Sequence, residues 1–259
     1  MALPAAFDTA LLSRIEDASI NASAPPQQRW LDGWLVRYSS GKAKRARCIN
    51  AVGPGRQPIA EKLALCQRIY DEASLRLYFR ITPFSQPADL DGTLEAMGLI
   101  REDDTRVMVS TTLPELSGFV QPSGHRLKHL GPDAFAGLVG EMRGSPLAER
   151  EAQAQRLALS PVPCQGFAMV DEAGAPAACG QVAIEAEFVG LYDVFTAAPH
   201  HGRGLATALC RQMLLFAQQR GARVAYLQVD PANEIARHLY RGLAFSDAYT
   251  YHYRARRTA

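Results

Sequence analysis

Asp193-Val194-Phe195-Thr196-Ala197-Ala198-Pro199-His200-His201-Gly202-Arg203-Gly204-Leu205-Ala206 is the segment that most narrows what this chain can fold into. It reads as the end of a strand, a short loop with two glycines and the start of a long helix. Over residues 204–220 that helix carries Leu205, Leu209, Met213 and Phe216 on one face, and Gly221 stops it. Residues 224–229 then form an apolar strand. A helix that opens directly from a glycine loop leaves its first N–H groups without acceptors and points its dipole at whatever lies in front of them, so the geometry suits an anion such as a pyrophosphate. Gly202 and Gly204 permit backbone angles that a Cβ disfavours, and Arg203 adds positive charge. An ordinary compact strand-to-helix turn would use the same residues. The loop is not a P-loop, because no Gly-Lys-Ser/Thr follows, and the Gly-x-Gly-x-x-Gly spacing of a dinucleotide fold is absent.

The rest of the chain alternates strand and helix signals. A helix is expected over 8–20, strands over 30–38 and 45–52, a helix from Ile59 past Tyr70, a strand over 75–82, a short helix ended by Gly98, and a strand over 106–110. The stretch 111–124, with Pro114, Gly118, Pro122 and Gly124, reads as a connection in which Leu113, Leu116, Phe119 and Val120 still pack. Beyond it come a strand over 125–130, helices over 132–140 and 147–159, a hairpin of 167–170 with 177–184, a strand over 188–196, a helix that ends near Arg241 and Gly242, and a strand over 249–254. The class is mixed α/β (α+β).

With 259 residues, 47% apolar and 21% charged, the chain can bury one large core or two small ones. A formal charge of +2 does not demand nucleic acid or an anionic membrane. No apolar run is long enough to cross a bilayer, and residues 1–10 lack the pattern of a secretory signal, so a cytoplasmic location and no membrane partner are expected. Cys48, Cys66, Cys164, Cys179 and Cys210 are scattered without metal-type spacing and read as buried thiols; no metal is expected. The basic cluster over 42–47 reads as a solvated face. A nucleic-acid patch would use the same residues, and the near-neutral total charge weighs against it.

Two blocks resemble one family. His201-Gly202-Arg203-Gly204-Leu205-Ala206 resembles the (Gln/Arg)-x-x-Gly-x-(Gly/Ala) motif of the GCN5-related N-acetyltransferases (GNAT), with His201 where Arg or Gln is usual. Asn233, Ala236 and Tyr240, followed by Gly242-Leu243-Ala244-Phe245, resemble that family's Asn-x-x-Ala-x-x-x-Tyr signature and its Gly-Phe. Asn233, Ala236 and Tyr240 share one helix face. Tyr240 taken alone would pass as a half-buried aromatic at a helix end. The resemblance covers residues 125–254 and implies a GNAT fold: a mostly antiparallel sheet flanked by helices.

The resemblance also implies acetyl-CoA as cosubstrate and a primary amine as acceptor, with direct attack in a ternary complex. The coenzyme would lie on Val194, Phe195 and Thr196 of the strand, on the loop from His201, Gly202, Arg203 and Gly204 to Leu205, Ala206 and Thr207, and on Asn233. Tyr240 would also contact it and serve as general acid, with an ordinary pKa near ~10. Asp193 is the candidate base, directly or through water, with Glu185 and Glu187 as other carboxylates flanking the start of the same strand; taken singly, each reads first as a solvated carboxylate. A binding module that holds acyl-CoA without turnover is the alternative.

The first half parallels the second. Residues 45–52, Gly53-Pro54-Gly55-Arg56, the helix to Tyr70, the 75–82 strand and the helix ending at Gly98 follow the same order. Gln57 and Pro58 stand where the loop needs Gly-x-Ala, and Ala96 falls where Tyr240 would be. A tandem arrangement is expected, with a degenerate GNAT-like domain over 1–112 and a catalytic one over 125–259.

Overall fold

The computed structural model describes residues 7–113 and 122–257. The expected packing of Leu116, Phe119 and Val120 falls outside the described residues.

The described chain forms a mixed α+β fold on one sheet of 11 strands. In chain order the elements are α1 (Thr9–Ala22), β1 (Gln28–Leu31), β2 (Trp34–Arg37), β3 (Ile49–Ala51), α2 (Ile59–Glu72), β4 (Tyr78–Ile81), α3 (Leu90–Ala96) and β5 (Ile100–Ser110). They continue with β6 (His125–Leu130), α4 (Pro132–Met142), α5 (Leu147–Ala158), β7 (Cys164–Asp171), β8 (Pro176–Glu185), β9 (Phe188–Thr196), α6 (Leu205–Gln218), β10 (Val224–Val229), α7 (Glu234–Arg241) and β11 (Ser246–Ala255).

The strand order is β1-β2-β3-β4-β11-β5-β10-β9-β8-β7-β6. Two neighbouring pairs are parallel, β3 with β4 and β9 with β10; each is joined by a helix crossover, α2 and α6 respectively. The remaining pairs are antiparallel. The same strand–helix–parallel-strand unit therefore occurs once in each half. The two central strands are exchanged. β5, from the first half, lies against β10, and β11, from the second half, lies against β4, while β5 and β11 pair with each other.

Local chemistry accounts for the differences from expectation. The stretch 30–38 is not one strand but the β1–β2 hairpin, turned at Asp32-Gly33 with φ of +42° and +83°. Asp-Gly is a preferred pair for a two-residue turn with both residues left-handed. The stretch 45–52 keeps only β3 as strand. A 3-10 turn, Lys44–Ala46, precedes it, fixed by the Ala46 N–H on the Ala43 carbonyl at 3.0 Å and by Lys44 paired to Asp103. β5 begins six residues before the expected 106, because its early part is clamped between β11 and solvent rather than buried as an apolar run.

Two apolar layers flank the sheet on one side: α6 over β8–β10, with Leu209, Met213 and Leu214, and α2 and α3 over β2–β4, with Leu63, Cys66 and Leu94. Helix α1 packs Leu12, Ile15 and Ala18 against Val109, Tyr226, Tyr249 and Tyr251, which come from strands of both halves. Its buried Glu16 is ion-paired with Arg80 and accepts the Tyr249 hydroxyl at 2.6 Å. A buried pair adds little net stability, because the cost of desolvating both charges offsets much of their attraction, but losing one partner would leave the other charge buried alone. No helix among the described residues is long and apolar enough to cross a membrane.

Candidate functional site

β9 carries the candidate site. It runs parallel to β10 only from Phe188, opposite Val224, to Leu191, opposite Leu227, and then the two strands part. On its other side β9 stays paired with β8 as far as Thr196, opposite Ala178. The edge of Val194, Phe195 and Thr196 that faces away from β8 therefore has no strand partner among the described residues. The divergence begins at a bulge where Asp193 and Val194 stand opposite Gly180 and Asp193 takes φ +53°. A bulge re-aims side chains and bends its strand, and it is a common feature beside functional sites.

β9 leads through a 3-10 turn, Ala198–His200, into the glycine loop. Gly202 and Gly204 have φ of +73° and +72°, and Gly204 is the N-cap of α6. A Cβ at either would meet open space, so these glycines answer to the backbone angle and not to crowding. The backbone N–H groups of Gly202, Arg203, Gly204, Leu205, Ala206 and Thr207 find no acceptor among the described residues. His201, the departure from the family's motif, has a structural role: its Nε2 lies 2.9 Å from the Thr196 carbonyl and donates to it, tying the loop to the end of β9.

The equivalent loop of the first half is closed. There the Asp32 carboxylate accepts the backbone N–H groups of Arg56 at 2.7 Å and Gln57 at 2.8 Å, and Lys62 Nζ lies 3.5 Å away. The Gln57 amide, then that of Arg56 and the Lys62 charge, hold the Asp32 carboxyl below the usual carboxylate range despite its burial. An internal carboxylate thus occupies the place where the loop of α6 offers unpaired donors.

Tyr240 sits near the end of α7, 9% exposed, in the same apolar cluster as Leu205, Leu209 and Val229. Burial, and secondarily the adjacent Cys210, pushes its phenol well above the ordinary value. Its hydroxyl makes no hydrogen bond among the described residues. Asn233 caps α7, its Oδ1 accepting the Ala236 N–H at 3.0 Å, and its Nδ2 makes no hydrogen bond among the described residues.

Asp193 is held by three donors. Arg143 Nη1 reaches Oδ1 at 2.8 Å, while Gln181 Nε2 at 2.8 Å and Gln153 Nε2 at 3.0 Å reach Oδ2. These partners come from the C-cap of α4, from α5 and from β8, and sequence reasoning missed them. Nothing local in the sequence says that the Gln153 face of α5 meets the β9 bulge. Glu185 and Glu187 are not brought to this place. They lie at the opposite end of β9, roughly 20 Å along the strand at ~3.3 Å per residue, where Glu185 accepts from Asn21 at 2.9 Å and Glu187 pairs with Arg14. Beside Asp193 a cavity of about 210 Å³ opens at the seam of the halves, lined by Ser23, Lys42 and Arg45 from the first and by Arg143, Arg156 and Tyr192 from the second.

Comparison with known proteins bears on this arrangement. Residues 136–245 match the model of the acetyltransferase (GNAT) family. A Bacillus subtilis (strain 168) protein described as the uncharacterized N-acetyltransferase YobR is 25% identical over 236 residues, 89% of this chain and 92% of that protein. Among solved structures, a GCN5-related N-acetyltransferase from Kribbella flavida is similar with a TM-score of 0.66 at 16% identity, covering 95% of this chain and 96% of its own. A tandem GNAT protein from the clavulanic acid biosynthesis pathway is similar with a TM-score of 0.61 at 15% identity, covering 100% and 99%. The likeness in fold to the tandem protein runs through both halves, and the part of the chain that matches the GNAT acetyltransferase family, residues 136–245, spans α6, its open loop, the parted strand and Tyr240.

Proposed function

We propose that this protein transfers an acetyl group from acetyl-CoA to a primary amine within a ternary complex. The observation that carries the reading is the run of unpaired amides from 202 to 207 at the N-terminus of α6, directly beside the free edge of β9. A diphosphate matches those donors and the helix dipole, and an extended amide-bearing arm matches a strand edge that lacks a neighbour. The residues fit the coenzyme. His201, Gly202, Arg203, Gly204, Leu205, Ala206 and Thr207 would hold its phosphates, Val194, Phe195 and Thr196 its arm, and Asn233 would approach it from α7. The closed loop of the first half supports a division of labour, with a non-catalytic unit over 1–112 and a catalytic one over 125–259.

In this reading the amides of β9 orient and polarise the thioester carbonyl. Asp193, directly or through water, takes one proton from the acceptor's ammonium. The neutral nitrogen attacks the carbonyl carbon; the C–N bond forms, the C–S bond breaks and the nitrogen loses its second proton. Tyr240 gives its proton to the departing thiolate and is reprotonated from solvent, so the sum is amide, thiol and one released proton. Burial keeps this phenol protonated across the neutral range, so its proton is in place when the thiolate departs, and no acceptor among the described residues competes for it.

Binding of acyl-CoA without turnover is the second reading. It is favoured by one observation, that both oxygens of Asp193 already accept hydrogen bonds. Calorimetric titration with acetyl-CoA, followed by measurement of free thiol with a panel of amines, tests both. Binding with amine-dependent thiol release supports transfer. Binding with no release by any amine supports the second reading, and no binding overturns both.

A further inference from the structure

The seam cavity holds more positive charge than the protein itself neutralises. Lys42, Arg45, Arg143 and Arg156 line it against Glu149 and Asp193. Arg143 is committed to Asp193 at 2.8 Å. Arg45 donates to the Gln228 amide oxygen and lies over the Tyr192 ring, its guanidinium carbon 5.5 Å from the centroid, and has no carboxylate partner among the described residues. Arg156, on α5 one turn beyond Gln153, makes no hydrogen bond or ion pair among the described residues. Burial works most strongly against its charged form, and among the charged side chains near it Asp193 attracts it and Arg45 repels it.

Two guanidinium groups, one from each half, thus share a recess without a carboxylate bound to either. A desolvated guanidinium without a counter-ion gains most from an anion, and its fork is shaped for a carboxylate or phosphate. Opposite them, Asp193 Oδ1 accepts from Arg143 alone, and a carboxylate oxygen can accept two hydrogen bonds. The volume of about 210 Å³ lies below the roughly 300–1,000 Å³ typical of pockets for drug-sized ligands. A small occupant fits.

Resting on the transfer reading above, we propose that the acceptor is a small amine that carries its own anionic group, an amino acid being the simplest form. Its anion sits between Arg45 and Arg156, and its amino group turns to Asp193 at the β9 bulge. The first half would then supply part of the acceptor site through Arg45, and its own closed loop would leave that role undisturbed.

The test is calorimetry on the full chain saturated with coenzyme A, using matched pairs: the standard amino acids against their carboxamides, and phosphoethanolamine against ethanolamine. At least one acid should bind ~10-fold or more tighter than its neutral twin, the ratio expected when a charge-assisted contact of about 1.4 kcal/mol is lost. A preference in the first pair identifies a carboxylate, and one in the second a phosphate. Arg156→Gln should erase the preference and Arg156→Lys restore part of it, with coenzyme A affinity unchanged in both. Equal binding within every pair, no binding by any member, or a preference that survives Arg156→Gln overturns the proposal while leaving the transfer reading intact. Failure of the unmodified chain to bind coenzyme A overturns that reading itself.

Discussion

Tyr240 and Asp193 were both visible in the sequence as chemical types, yet their surroundings were not. The three-and-four spacing from Asn233 placed Tyr240 on one helix face, but only the fold shows its hydroxyl without a partner inside an apolar cluster. Tyr240→Phe is expected to lower kcat by about 10² or more, the usual weight of a general acid, while the calorimetric Kd for acetyl-CoA stays within about twofold. Because burial raises the phenol's pKa, the unmodified enzyme should show no descending limb from this group as pH rises to ~10, its ordinary value. Asp193 was legible as a carboxylate beside the loop, whereas Arg143, Gln153 and Gln181 come from three other elements and left no local signal. Asp193→Asn keeps a residue that tolerates φ +53° and removes the charge. We expect kcat/KM for the amine to fall by roughly 10² or more, with coenzyme affinity retained. A fall in amine affinity alone, with kcat unchanged, would make Asp193 a positioning group for Arg143.

The elements divide by how much of their reason is local. The β9 strand and the β10 strand were read with their ends in place, since an apolar run and its stops lie within each segment. Helix α6 was read to within two residues because its apolar stripe and Gly221, at φ +92°, are its own. The β1–β2 hairpin was missed although Asp32-Gly33 carries the turn signal, because Trp34, Leu35, Val36 and Arg37 are all buried and blur the period of two. The two glycine loops behave as opposites, and each supports a prediction. Gly204→Val places a β-branched residue at φ +72°, so a loss of about 1–2 kcal/mol in stability is expected from the angle alone. Acetyl-CoA affinity should fall far more than that, since the new side chain stands where the phosphates would lie; an unchanged Kd would remove the loop from the site. In the first half, Asp32 has a depressed folded pKa, so its stabilising effect is complete above the unfolded value near ~3.9 and vanishes as pH falls through the folded one. Asp32→Asn, which keeps the turn, should therefore lower Tm at pH 7 and lower it progressively less on acidification. A gap in Tm independent of pH would show that the charge is not what closes this loop.

At the scale of the whole molecule, the parallel order of the halves was readable, and the exchange of their central strands was not. β5 and β11 look like any strand that ends a unit, because pairing partners are chosen by geometry far away in sequence. Helix α1 adds to the interlock by covering strands of both halves with one apolar face. The full chain should accordingly unfold in a single cooperative calorimetric transition. A fragment of residues 125–259 lacks β5, which leaves the facing edges of β10 and β11 without hydrogen-bond partners, and it should be aggregated or unfolded. A well-dispersed amide spectrum from that fragment would show that the exchange is dispensable.

The placement of β11 also bears on how the molecule comes into being. The ribosome makes this strand after every other strand of the sheet, yet it lies between two made much earlier. While translation proceeds, β4 and β5 must wait with bare edges, exposed to wrong pairing and in need of shelter. A nascent chain stalled before residue 246 would thus carry its whole glycine loop ahead of α6 and still have no finished protein around it.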